Sequence, residues 1–194
     1  MPYLLHASCP ICALPTPNGS ICGHCLKRTP HFDRTVAVFA YAFPVDKLVQ
    51  ALKYGEQLAL ANTLAKRLTQ RIVQRPDRIM AMPLHPARLR ERGFNQSLEL
   101  ARGIARSLDI PLLTNSVRRI RNTQPQSTLP WKERKRNMRN AFACDDNLAG
   151  QHIGIVDDVM TSGTTLDELA RILQLAGASE ISAWVVARTL PHQA

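Results

Sequence analysis

The segment from His152 to Leu166, His-Ile-Gly-Ile-Val-Asp-Asp-Val-Met-Thr-Ser-Gly-Thr-Thr-Leu, constrains the fold more than any other part of the 194-residue chain. His152–Val156 is an apolar, β-branched run that reads as a buried strand ending in two carboxylates, Asp157 and Asp158. A hydroxyl-rich turn around Gly163 follows. Thr165–Ala176 then has helical apolar spacing and is closed by Gly177. A strand that enters a helix through so short a turn is one βα unit of a parallel sheet.

The chain from Val36 onward repeats this alternation. Strands are expected at Val36–Tyr41, Ile79–Met82 and Ile181–Val186, with a weaker one at Leu112–Val117. Helices are expected at Asp46–Lys53, Leu58–Gln74, Asn95–Leu108 and, basic in character, Lys132–Arg139. In Leu58–Gln74 the residues Leu60, Leu64, Leu68 and Ile72 fall at four-residue steps. Strands separated by helices predict a mostly parallel, doubly wound α/β sheet.

In such sheets ligands bind beyond the carboxyl ends of the strands. A helix start there offers free N–H groups and the positive end of its dipole to a phosphate. Gly163 allows close backbone approach, while Thr161, Ser162, Thr164 and Thr165 each offer a hydroxyl. Asp157 and Asp158 would accept hydrogen bonds from neighbouring sugar hydroxyls, directly or through a divalent cation. Diol and phosphate together describe a ribose 5-phosphate. No Gly-Lys-Ser/Thr occurs, so the loop is not of the Walker kind.

Residues 1 to about 30 differ in character and hold four of the five cysteines. Cys9-Pro-Ile-Cys12 and Cys22-Gly-His-Cys25 are two C-x-x-C turns separated by nine residues, a pattern suited to a tetrahedral Cys₄ zinc site. A loop-rich segment of this size needs such a staple, because burial alone cannot hold it. Disulfides fit poorly with a chain start that lacks a signal peptide and predicts a cytoplasmic setting. The redox reading of Cys-Gly-His-Cys requires a preceding thioredoxin-type strand, and a proline-rich loop stands there instead. His24 or His6 in place of one thiolate is the remaining variant. Cys144, beside Phe142, reads as a small core residue.

Hydrophobic residues make up 45% of the chain, enough for a core, and no apolar run approaches a membrane span. The net charge is +10, and Arg88–Arg139 alone carries +9, with 13 basic residues against four acids. That concentration points to an anionic ligand or a nucleic acid, the alternative being a solvated basic surface.

The strand–acid–hydroxyl-loop segment resembles the binding signature of type I phosphoribosyltransferases. Further stretches are Leu52-Lys53-Tyr54-Gly55, Met82-Pro83-Leu84-His85, Arg90-Glu91-Arg92-Gly93-Phe94-Asn95-Gln96-Ser97, Arg121-Asn122-Thr123-Gln124-Pro125-Gln126 and Arg134 to Asn140 followed by Ala141-Phe142. With the double C-x-x-C and the terminal loop, in this order, the whole chain resembles the ComF family. The resemblance implies a type I phosphoribosyltransferase-like parallel sheet over residues 31–194 and a small Cys₄ zinc-ribbon-like module over residues 1–30. It implies a site for 5-phosphoribosyl-1-diphosphate with Mg²⁺, formed by Asp157 to Thr165 and by a pyrophosphate loop on Leu84, His85, Pro86, Ala87 and Arg88. His85 could equally serve only to shape its proline-flanked turn. Arg119, Arg121, Thr123 and Gln126 would lie in a loop over the site, or be simply solvated. The role implied is the handling of incoming single-stranded DNA in natural transformation or DNA utilisation, with Phe94 or Trp131 available for stacking and DNA uptake or recombination proteins as partners. An acceptor pocket is not recognisable, so three readings stand: a DNA-handling protein with a retained sugar-diphosphate site, an active phosphoribosyltransferase, and a non-enzymatic adaptor.

Overall fold

The computed structural model describes residues 7–54, 57–123 and 136–191. Lys132–Lys135, Gln124–Gln126, Trp131, Gly55 and His6, all named above, lie outside them. A helical turn covers residues 136–138, the described part of the expected basic helix.

Five parallel strands form the main sheet in the order β1-β7-β6-β2-β3. They are β1 (Arg34–Ala40), β2 (Arg78–Ala81), β3 (Leu112–Leu113), β6 (His152–Met160) and β7 (Glu180–Arg188). The central β6 runs past Val156, where apolarity stops, to Met160, because pairing with β7 continues from Asp157 opposite Val185 to Met160 opposite Arg188. Two acidic side chains are thus built into a strand. The expected Leu112–Val117 strand divides in two: β3 joins the main sheet, while β4 (Val117–Arg119) pairs antiparallel with β5 (Phe142–Cys144) in a separate ribbon.

The strands alternate between two cores. Ile79 and Ala81 of β2 and Val156 of β6 pack with Leu52, Leu64, Leu68, Leu100, Ile104 and Trp184. This is the side of helices α2 (Val45–Tyr54), α3 (Ala59–Thr69) and α5 (Gln96–Leu108). Met80, Ile153 and Ile155 face the other way, against Leu166, Leu169 and Leu173 of the helix Thr164–Leu175, and against Phe142. Burial on both faces of the sheet is what a doubly wound parallel sheet requires.

Cys9, Cys12 and Cys25 belong to this second core, with Phe32 and Met160. Their segment contains a bridge between Ser8 and Pro15 and the short helix α1 (Gly23–Lys27), and the Thr35 N–H ties it to β1 by donating to the Pro10 carbonyl at 3.0 Å.

Two helix starts position the site. Asn95 caps α5 by accepting the Ser97 N–H at 3.0 Å, an interaction worth about 1 kcal/mol. His85 caps α4 (Pro86–Arg92), its Nδ1 accepting the Ala87 N–H at 3.2 Å, with Pro86 in the first turn. The expected pyrophosphate loop is therefore a cap followed by a helix, and Arg88 projects from that helix. The helix expected over Leu58–Gln74 ends at Thr69, short of the polar run before Pro76.

Candidate functional site

The carboxyl ends of β2 and β6 open into a cleft of about 450 Å³. Its wall includes Asp157, the whole hydroxyl loop Thr161, Ser162, Gly163, Thr164 and Thr165, and, from the β2 side, Leu84, His85 and Arg88. Residues about 70 positions apart in sequence are thereby gathered around one space. Asp158 is not on that wall: it is 4% exposed and turned inward.

The two carboxylates are held differently. Asp157 Oδ1 accepts from Ser97 Oγ and from the Asp158 N–H, both at 2.9 Å. Burial, reinforced by the neighbouring Asp158 charge, pushes the Asp157 carboxyl up to about 7. Asp158 Oδ2 forms an ion pair with Lys53 Nζ at 2.8 Å and accepts from Gln96 Nε2 at 3.1 Å, and its Oδ1 accepts the Val159 N–H at 2.7 Å. Burial alone would lower the Lys53 pKa, but the adjoining Asp158 reverses the direction and keeps the ammonium charged. Asp158 is thus committed within the protein, and Asp157 is the carboxylate that faces the cleft.

At the phosphate end, Gly163 precedes the first turn of the helix Thr164–Leu175 (α6) with φ +77°, in the left-handed region that favours glycine. Gly163 has no side chain to cap the helix; the Thr164 N–H donates to Ser162 Oγ at 3.4 Å, and the next N–H groups of the first turn remain available to an anion. Ser162 Oγ and Thr164 Oγ1 lie 2.9 Å apart and arrange the hydroxyls of the turn.

Arg119 enters the cleft from β4. Its Nη2 donates to Thr123 Oγ1, its guanidinium sits 5.8 Å from the Phe142 ring centroid, and its buried Nε has no hydrogen-bond partner among the described residues. Burial lowers its pKa below the usual value, Asp157 opposes that shift, and Arg88 adds to it. With Lys53 paired to Asp158, Arg88, Arg92 and Arg119 still line the cleft beside its one carboxylate, Asp157, so the space carries positive charge suited to phosphate.

Lys53, Gln96 and Ser97 were not marked by sequence reasoning as site residues. The signal available was their presence in the Leu-Lys-Tyr-Gly and Asn-Gln-Ser stretches, but only the fold shows that they meet the strand acids.

The other candidate centre is the cysteine cluster. The four Sγ atoms of Cys9, Cys12, Cys22 and Cys25 all lie within 4.8 Å of one another, those of Cys12 and Cys22 being 3.6 Å apart. Burial raises the Cys12 thiol to about 11 and raises Cys25 further. Burial would raise Cys9 as well, but backbone N–H groups of Cys22, Cys12 and Ile11 bring it down to about 7. Four converging sulfurs with backbone N–H groups turned towards one of them fit a tetrahedral divalent ion of the zinc type, whose charge would hold all four as thiolates. Neither His24 nor Cys144 belongs to the cluster.

The parallel sheet and its strand-end cleft define a protein of the phosphoribosyl transferase class, and the Phosphoribosyl transferase domain family matches residues 95–192. More narrowly, the chain belongs to the ComF family of competence and DNA-utilization proteins. It is 38% identical over 191 residues to "DNA utilization protein YhgH" of Salmonella typhimurium, covering 94% of this chain and 84% of that protein. It is 35% identical over 178 residues to "Competence protein F" of Haemophilus influenzae, covering 86% and 78%. Among solved structures, the glutamine phosphoribosylpyrophosphate amidotransferase from B. subtilis, complexed with ADP and GMP, aligns with 64% of this chain and 25% of its own, at 22% identity and a TM-score of 0.45. No helix among the described residues is long and apolar enough to cross a membrane.

Proposed function

We propose that this protein handles incoming single-stranded DNA in DNA utilisation or natural transformation, and that its strand-end cleft binds 5-phosphoribosyl-1-diphosphate with Mg²⁺. The observation that carries the reading is the cleft itself, which joins the hydroxyl loop and the glycine-led start of α6 to Asp157 on one side and to His85, Arg88 and Arg119 on the other. In this reading the 5-phosphate lies on the Thr161–Thr165 turn and the ribose hydroxyls meet Asp157. The diphosphate reaches the basic side, where the unpartnered Nε of Arg119 can donate. Mg²⁺ bound with the sugar diphosphate would supply further charge neutralisation beside Asp157. Zinc on Cys9, Cys12, Cys22 and Cys25 holds the cysteine segment against the sheet, in a cytoplasmic setting that keeps the thiols reduced. The names of the curated relatives support the DNA role, and the +9 charge of Arg88–Arg139 gives it a physical basis.

Calorimetric titration with the sugar diphosphate tests the site. Mg²⁺-dependent binding that is lost in Asp157→Ala is expected, and an absence of binding with or without Mg²⁺ refutes it. Strand binding should weaken with salt by a log–log slope of about −0.7 per phosphate contact. Release of pyrophosphate on addition of a nucleobase would extend the reading to a transferase.

A further inference from the structure

Tyr54 ends α2 at the mouth of the cleft and remains 74% exposed, while Val45, Val49 and Leu52 of the same helix are buried. The guanidinium of Arg92, in the last turn of α4, lies over the Tyr54 ring at 5.1 Å from its centroid. Arg92 is held in place in turn, because its Nη1 donates to Gln96 Oε1, and Gln96 donates to Asp158, the partner of Lys53 beside Tyr54. The ring and the planar cation are therefore fixed to the network that orients the strand acids.

From this juxtaposition we propose that Tyr54 and Arg92 form a stacking platform for a nucleobase at the entrance of the cleft. The inference rests on the proposed function and extends it by naming what the entrance recognises. A flat aromatic face backed by a guanidinium accepts the π-face of any base, because both quadrupole and cation favour a planar, polarisable partner. Arg88 and Arg119 line the same cleft and suit the attached phosphates. An inorganic anion would use the arginines and leave the ring idle, so the combination selects a nucleotide unit. That unit is either part of a single strand or a free mononucleotide.

The test compares an oligothymidylate with an abasic deoxyribose-phosphate strand of equal length, by fluorescence anisotropy on the full chain. Wild-type protein is expected to prefer the oligothymidylate by about 5- to 100-fold. Tyr54→Leu is expected to bind both strands alike with the wild-type salt slope, and Tyr54→Phe to keep the preference. Because Tyr54 is mostly exposed, unchanged circular dichroism and melting temperature should accompany the loss. Equal binding of the two strands by the wild type, or a Tyr54→Leu protein that still discriminates, overturns the platform on strands. If neither strand binds at low salt, the DNA part of the proposed function fails separately. Thymidine 5′-monophosphate then decides: saturable binding lost in Tyr54→Leu supports a mononucleotide platform, and no saturable heat overturns the inference.

Discussion

The guanidinium of Arg188, at the end of β7, donates from Nε to the backbone carbonyl of Cys12 at 2.8 Å. Its Nη1 also donates to the carbonyls of Met160 at 2.9 Å, Thr189 at 3.0 Å and Thr161. One side chain, 4% exposed, thus ties a cysteine turn to the first residue of the hydroxyl loop. Replacement by Met removes this donor from all four carbonyls in a buried setting, and among the described residues only Met160 keeps a second one, the Thr189 N–H. Arg188→Met is expected to lower unfolding stability by about 2–4 kcal/mol. Urea denaturation provides the measurement, and Arg188→Lys should recover part of the loss because it still donates.

Metal removal should act on the same structure from the other end. Cys9, Cys12 and Cys25 pack in one core with Phe32, Met160 and Leu166, and His31 and Arg28 meet Asp167 in the first turn of α6. Treatment with a strong chelator is expected to lower the melting temperature by about 10 °C or more, and Cys25→Ser to do likewise. Metal analysis should find one zinc per untreated chain. A chain that melts identically with and without chelator would contradict the four-sulfur centre.

The Lys53–Asp158 pair joins a half-buried ammonium, 23% exposed, to a buried carboxylate, 5% exposed. Removing one partner leaves an uncompensated buried charge, so Lys53→Met is expected to cost about 3–5 kcal/mol. Adding Asp158→Asn to Lys53→Met should recover part of that loss, whereas independent sites would add. Chemical denaturation of the two single variants and the double variant closes the cycle.

The same pair marks where the sequence stops being legible. The βα alternation could be read because strand and helix periods are local, and the cysteine spacing because knuckle geometry is local too. The extension of β6 to Met160 could not, because Asp157 and Asp158 break its apolar run, and their compensation comes from Lys53, Gln96 and Ser97, which are distant in sequence. The helix Pro86–Arg92 carries a proline signal in its first turn, but the family resemblance implies a pyrophosphate loop on Leu84 to Arg88 instead of a helix. The twin aspartates looked equivalent as neighbours in sequence. On a strand their side chains diverge, and only Asp157 reaches the cleft.

Gly163 separates ligand binding from fold stability. A Cβ there would fall 2.7 Å from Met160 Cε, the flexible end of a side chain that can move, but the φ of +77° would remain strained for alanine. Gly163→Ala is expected to cost about 1–2 kcal/mol of stability. It should weaken sugar-diphosphate binding at least tenfold, because the turn that presents the helix N–H groups would shift. Calorimetry beside thermal melting distinguishes these effects, and unchanged affinity would remove the turn from the site.

The Asp157 carboxyl supplies a pH signature. Its value of about 7 in the folded protein stands above its ordinary 3.8, with burial as the first cause and the Asp158 charge as the second. Between those two values the folded state keeps a proton that the unfolded chain has lost, so stability must fall as pH rises through this window. The full penalty, at most about 4 kcal/mol, is present above pH 7 and absent below about pH 4. Asp157→Asn has no such proton to lose. The stability of the wild type relative to that variant should therefore decline steadily from pH 4 to pH 7 in urea titrations, then level off. A relative stability that rises over this range would mean that Asp157 stays ionised in the fold, stabilised by Lys53 and Ser97 more than it is penalised by burial.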